Sequence, residues 1–232
     1  MKIACDTLDN CIDLDREKVS VIMIASSRLL GRVIQSFAQL EQGLQPIEGF
    51  YLKSDEMILP AGKHLLMLSD MFHIDLNSRK LITCLHKQVE KAILQDPILL
   101  RNYSETMGAA LQLLDNVLLG INIDTQRLSG EDITGLCKWL DVRLPDVGSE
   151  PLILQLEKYM DVVAEWFPAQ VLVLPTVSAF LSGEELEDLF RYAMYTKVSL
   201  LLLEKWEDIP LRKHEQRWTI TEDFDDSLMI PC

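Results

Sequence analysis

Residues Val171–Glu204 read VLVLPTVSAFLSGEELEDLFRYAMYTKVSLLLLE. An apolar run (Val171–Leu174) leads through a short polar turn into an amphipathic helix, and a second apolar run (Val198–Leu203) follows. Two all-apolar strands joined by a helix are the repeating unit of a parallel sheet covered on both faces. The turn after the first strand holds Pro175, Thr176, Ser178 and Ala179, and no glycine-rich phosphate loop. The layout is that of a nucleotide-binding core without the nucleotide chemistry. Ser182 and Glu185 form a capping box that starts the helix.

Working outward, the flanks carry further strands and helices. Ile3–Cys5 and Ile12–Leu14 flank the polar turn Asp9-Asn10 as a short hairpin. Val19–Ala25 (VSVIMIA) reads as a buried strand. Ser26 or Ser27 then caps a helix with Leu29, Leu30, Val33, Ile34, Phe37 and Leu40 at helical spacing, ended by Gly43 and Pro46. Gly49–Leu52, Leu65–Leu68 and Trp218–Ile220 are further strand candidates. From Asn77 to Leu119 strand signals vanish, and Pro97 separates two helical segments. A third helix starts at Ser129, with Asp132 three residues on as a near capping box, and runs to about Leu140. Pro145, Gly148 and Pro151 mark a linker before the helix Leu152–Trp166. The expected class is α/β, with a mixed or parallel sheet. Residues 1–75 and 150–232 would form the sheet domain, and residues 76–149 an inserted helical projection.

Composition limits the chemistry. A chain of 232 residues with 48% hydrophobic and 25% charged residues is globular. No apolar run approaches the ~20 residues that span a bilayer. The N-terminal MKIACDTLDN has acids where a signal peptide needs an apolar core. Five cysteines (Cys5, Cys11, Cys84, Cys137 and Cys232), none in CxxC spacing, argue against a disulfide framework and a structural zinc. A cytoplasmic protein with no membrane contact is expected.

The motif search is mostly negative. GxxxxGK[ST] is absent, and Ser26–Arg32 after the first buried strand lacks the glycines that wrap a phosphate, so no nucleotide is expected. Asp70 mimics a Walker B acid, but an Asp that starts a loop is more often a turn cap. His64, Asp70, His73 and Asp75 lie close in sequence without fixed ligand geometry. No GxSxG or HExxH occurs.

Charge is the informative feature. The net formal charge is −14, which repels nucleic acid unless a basic surface is concentrated locally. The segment Leu76–Arg101 supplies one: Arg79, Lys80, Lys87, Lys91 and Arg101 stand against Glu90 and Asp96. On a helical wheel Lys80, Lys87 and Lys91 fall within about 60° of each other and span roughly 16 Å. Leu81, Ile82, Leu85, Val89, Ala92 and Ile93 centre on the opposite side. Such a stripe suits a phosphate backbone and reads no bases; a solvated helix face is the ordinary alternative. Asp124, Glu131 and Asp132 cluster at a helix connection, where Glu131 and Asp132 also suit a helix start.

The block Ser178–Glu204 is similar to the C-terminal part of the small ring-forming protein of type II-A CRISPR systems. Ser178-Ala179-Phe180-Leu181, the acidic helix start Ser182–Glu185, Leu186–Tyr195, Val198–Glu204 and Pro210 carry the resemblance. The order of elements agrees over nearly the whole chain, including a first helix with Arg32-Val33-Ile34-Gln35. The resemblance implies a P-loop-ATPase-like head without Walker A and an inserted helical leg. It implies a homotetrameric ring that takes up double-stranded DNA ends in spacer acquisition, with no catalysis of its own. The spacer integrase and the effector nuclease would be its partners. Arg28, Arg32, Lys53 and Lys63 in the head, and Lys80, Lys87 and Lys91 in the leg, would contact DNA. Asp124, Glu131 and Asp132 would match an acidic cluster associated with calcium, although Gly120 and Asn122 stand where further acids are expected. A degenerate nucleotide-dependent enzyme and a pure protein scaffold are the alternatives.

Overall fold

The computed structural model describes residues 1–8, 10–14, 17–54, 57–121, 132–168, 170–221, 223 and 225–229. In chain order the elements are β1 (Lys2–Cys5), β2 (Ile12–Asp13), β3 (Val19–Ile24), α1 (Ser27–Glu41), β4 (Phe50–Ser54), β5 (Met57–Leu59), the single-turn α2 (Ala61–His64) and β6 (Leu65–Met67). Three helices follow: α3 (Arg79–Gln95), α4 (Pro97–Leu118) and α5 (Ile133–Trp139). The chain then forms α6 (Leu152–Trp166), β7 (Val171–Pro175), α7 (Gly183–Thr196), β8 (Ser199–Lys205), β9 (Glu215–Ile220) and β10 (Asp226–Met229). Two compact units result, Met1–Ile74 with Val147–Cys232, and Asp75–Asp146.

The first unit is mixed α/β. Among the described residues its main sheet has the order β10-β9-β3-β8-β7-β6. β9, β3, β8, β7 and β6 run parallel, and β10 is an antiparallel edge. A second, antiparallel sheet has the order β2-β1-β4-β5. The all-apolar strands are explained by burial on both faces. Ile22, Ile24, Val171, Val173, Leu201 and Leu203 share one core with Val33 and Phe37 of α1 and with Ile3, Phe50 and Leu52 of the antiparallel sheet. Their alternates, such as Leu172, Leu174, Leu200 and Leu202, are buried too, and α7 packs against β3 and β8. Alternate side chains of a strand point to opposite faces, which puts the two sets on the two sides of the sheet.

Local chemistry sets the helix ends. Ser26 caps α1, its hydroxyl accepting from Leu29 N at 3.2 Å. Gly43 at φ 73° ends α1, donating to the Leu40 carbonyl, in the left-handed backbone that glycine adopts freely. The Ser182–Glu185 capping box is present. Three expectations change. The helix expected from Ser129 begins at Ile133, with Asp132 itself as the cap; Ser129 lies outside the described residues. The strand expected at Trp218–Ile220 starts at Glu215, because a buried ion pair there disguises strand as polar sequence. β10 arises from the acidic tail, where no strand was read.

Among its described residues the regular elements of the second unit are all helices. α3 packs on α4 and on α5. It buries Leu81 and His86, and α5 buries Ile133 and Cys137. The His86 Nε2–H donates to the Val142 carbonyl at 3.1 Å. Asn77 closes the unit, donating to the Leu144 carbonyl at 3.1 Å and accepting from its amide at 2.9 Å. α4 has no fully buried residue.

Candidate nucleic-acid interface

The carboxyl ends of parallel strands are where α/β folds hold ligands, and here one such end is closed from within. Glu204, 3% exposed at the end of β8, accepts from Ser178 N at 3.0 Å and from the Ser178 hydroxyl at 2.5 Å. Thr176 enters this turn in the left-handed region at φ 53°. The chain's own carboxylate thus occupies amides that an anion would need. Burial pushes the Glu204 carboxyl above its ordinary value, opposed by the bonds from Ser178 and Val177. The folded chain therefore keeps this proton to higher pH than the unfolded chain. Its contribution to stability is full below the ordinary value of 4.5 and is lost as pH rises through the folded value. Denaturation midpoints of wild type and Glu204→Gln should show the wild type losing ground against the variant as pH rises. A difference independent of pH would refute this assignment.

Asp70 is a turn cap. Its carboxylate accepts from Phe72 N at 2.9 Å and His73 N at 3.2 Å, and meets His73 Nδ1 at 3.1 Å. The Phe72 amide is the main cause that holds this carboxyl below its ordinary value. Among the described residues no three His, Cys, Asp or Glu side chains converge as a metal site. Nor is any helix long and apolar enough to cross a membrane.

In the first unit the cations differ in their surroundings. Arg28 is exposed in the first turn of α1. Arg32, one turn further on, is paired with the buried carboxylate of Glu48, whose backbone amide donates to the Ser36 hydroxyl at 3.0 Å. Part of the Arg32 charge is therefore committed to neutralising Glu48. Lys53 on β4 stands beside Lys2 in the sheet register, and Lys2 is bridged to Asp13 at 3.2 Å. Lys63 is exposed on α2, and its carbonyl accepts from Gln170 Nε2 at 2.9 Å. Lys2 was missed in the sequence, because cross-strand register is invisible there.

In the helical unit Lys80, Lys87 and Lys91 are all exposed on α3. Lys87 also borders a cleft between α3 and α5, together with Arg79 and Lys138. Of the acidic set, Asp124 and Glu131 lie outside the described residues. Asp132 is turned into its own helix. It accepts from Thr134 N at 3.0 Å and the Thr134 hydroxyl at 2.8 Å. The Thr134 hydroxyl, then the Gly135 amide, hold its carboxyl below the ordinary value. These are the partners of a helix cap.

The fold resembles the crystal structure of Stu0660 of Streptococcus thermophilus with a TM-score of 0.65 over 94% of this chain and 74% of that one. The two sequences are 11% identical, so this likeness speaks for the fold alone. No curated protein matches the sequence. The model of the CRISPR-associated protein family Cas_Csn2 matches residues 46–224. That span runs from before β4 to beyond β9 and takes in the whole helical unit and the β7–α7–β8 stretch. The chain therefore belongs to the CRISPR-associated Cas_Csn2 family, which is implicated in type II-A adaptation.

Proposed function

We infer that the protein binds double-stranded DNA ends without reading sequence, as a homotetrameric ring that supports spacer acquisition and catalyses no reaction itself. The exposed stripe Lys80, Lys87 and Lys91 on α3 carries this reading. Three cations along one helix face are concentrated in a chain of net charge −14, and lysine contacts to phosphate supply sequence-independent affinity. Arg28, Lys53 and Lys63 would add phosphate contacts from the head, and Arg32 would do so only with the charge that Glu48 leaves it. The head is read as a relative of P-loop ATPase cores: β3 leads straight into α1, but Ser26–Arg32 offers one glycine where a phosphate loop needs several.

Self-association is supported by α4. This 22-residue helix has no fully buried residue, and Ile98, Leu113 and Val117 are 67%, 67% and 58% exposed. Its charged residues are Arg101, Glu105 and Asp115. A second copy of the chain is the cover we propose for this apolar surface. The spacer integrase and the effector nuclease are the proposed partners of the assembly.

A gel-shift titration at low salt tests the reading, with one duplex sequence supplied as linear and as closed-circular DNA. Binding to linear DNA alone is expected, because a closed ring loads only at an end. Binding to neither form would overturn it in favour of a protein scaffold or an unrecognised enzyme. Repeating the titration with calcium and with a chelator tests the calcium expectation attached to Asp124, Glu131 and Asp132.

A further inference from the structure

We propose that the cleft between α3 and α5 is a phosphate-binding site of the helical unit, adjoining the lysine stripe through Lys87 and independent of ring formation. The cleft has a volume of about 360 Å³, within the ~300–1,000 Å³ of small-molecule sites. Arg79, Thr83, Lys87, Thr134 and Lys138 line it, with Ile82 and the buried His86. Among the described residues no carboxylate lines it. Three cations therefore face one small space in a chain of net charge −14. Among the described residues none of the three makes a salt bridge.

The geometry explains how the cations are presented. Arg79, Thr83, His86 and Lys87 recur on one face of α3, and Thr134 and Lys138 lie one turn apart on α5. The Asp132 carboxylate is engaged in its cap bonds to Thr134 N and Oγ1. The His86 Nε2–H is spent on the Val142 carbonyl, so the ring anchors the floor and leaves binding to the cations. One guanidinium and two ammonium groups match the acceptor oxygens of a phosphate dianion, while the Thr83 and Thr134 hydroxyls already donate to the Arg79 carbonyl and to Asp132. That chemistry has two sources, the terminal phosphate of a DNA end and a free phosphate ion.

The test uses the full-length ¹⁵N-labelled protein and inorganic phosphate at constant ionic strength. Saturable amide shifts are expected at Thr83, His86, Thr134 and Lys138. The double variant Arg79→Gln/Lys138→Gln, changed at exposed positions only, should lose about tenfold or more in affinity, as removal of charge-assisted hydrogen bonds predicts. Displacement by a 5′-phosphorylated duplex, but not by its 5′-hydroxyl counterpart, would assign the site to DNA ends. Saturation that neither duplex reverses would assign it to the free ion. Shifts that never saturate, or that the variant leaves unchanged, overturn the proposal. DNA binding that persists without a phosphate response would sink the cleft and leave the ring reading standing.

Discussion

Glu215→Ala lowers the stability of the protein by about 3–5 kcal/mol, the range for stranding a buried charge. Glu215 is 0% exposed and Arg217 5%, and Arg217 Nε donates to Glu215 Oε1 at 2.6 Å. The other Arg217 nitrogens donate to the carbonyls of Ile209 at 2.6 Å and Pro210 at 3.2 Å. Arg212 donates its amide to Glu215 Oε2 at 3.2 Å and lays its guanidinium 5.9 Å from the centre of the Phe190 ring. One carboxylate thus ties the segment that returns from β8 to the start of β9. Without it the Arg217 guanidinium stays inside with only carbonyl partners. The double variant Glu215→Ala/Arg217→Met should be less damaged than the single one, because it removes the stranded charge. Urea denaturation of the set measures this. A single variant within about 1 kcal/mol of wild type would refute the network's role.

Replacing Lys80, Lys87 and Lys91 together by Glu should abolish DNA binding and leave the fold intact. All three side chains are exposed, so circular dichroism should not change. The milder triple change to Gln should flatten the dependence of log affinity on log salt by about 3, near one unit per lost phosphate contact. Tight binding by the folded Glu variant would remove the stripe from the interface. An unchanged salt slope in the Gln variant would do the same.

Much of the fold was legible because burial leaves a periodic trace. The apolar runs of β3, β7 and β8 and the capped starts of α1 and α7 all follow from local pattern. β9 was legible only in its second half, because Glu215 and Arg217 look polar until their pairing is seen. The separate antiparallel sheet depends on pairing Lys2–Cys5 with Phe50–Ser54, a register that no short window contains. At the candidate site the lysine stripe was legible from spacing on one helix. Lys138 was not, because it reaches the cleft from another helix. The Glu48 partner of Arg32 was hidden for the same reason.

The strand order also has a consequence for the growing polypeptide. Ser20 in β3 pairs with Leu201 in β8 and Gln216 in β9. Every residue of β3 is buried in the finished sheet, yet neither neighbour exists when VSVIMI leaves the ribosome. At ~5–20 residues per second, roughly ten to forty seconds pass before β8 is made. The helical unit, whose contacts lie within Asp75–Asp146, has its whole sequence available first. The head is thus assembled late, by closure of a long loop, and its central strand spends that interval as exposed hydrophobic chain for a chaperone to shield.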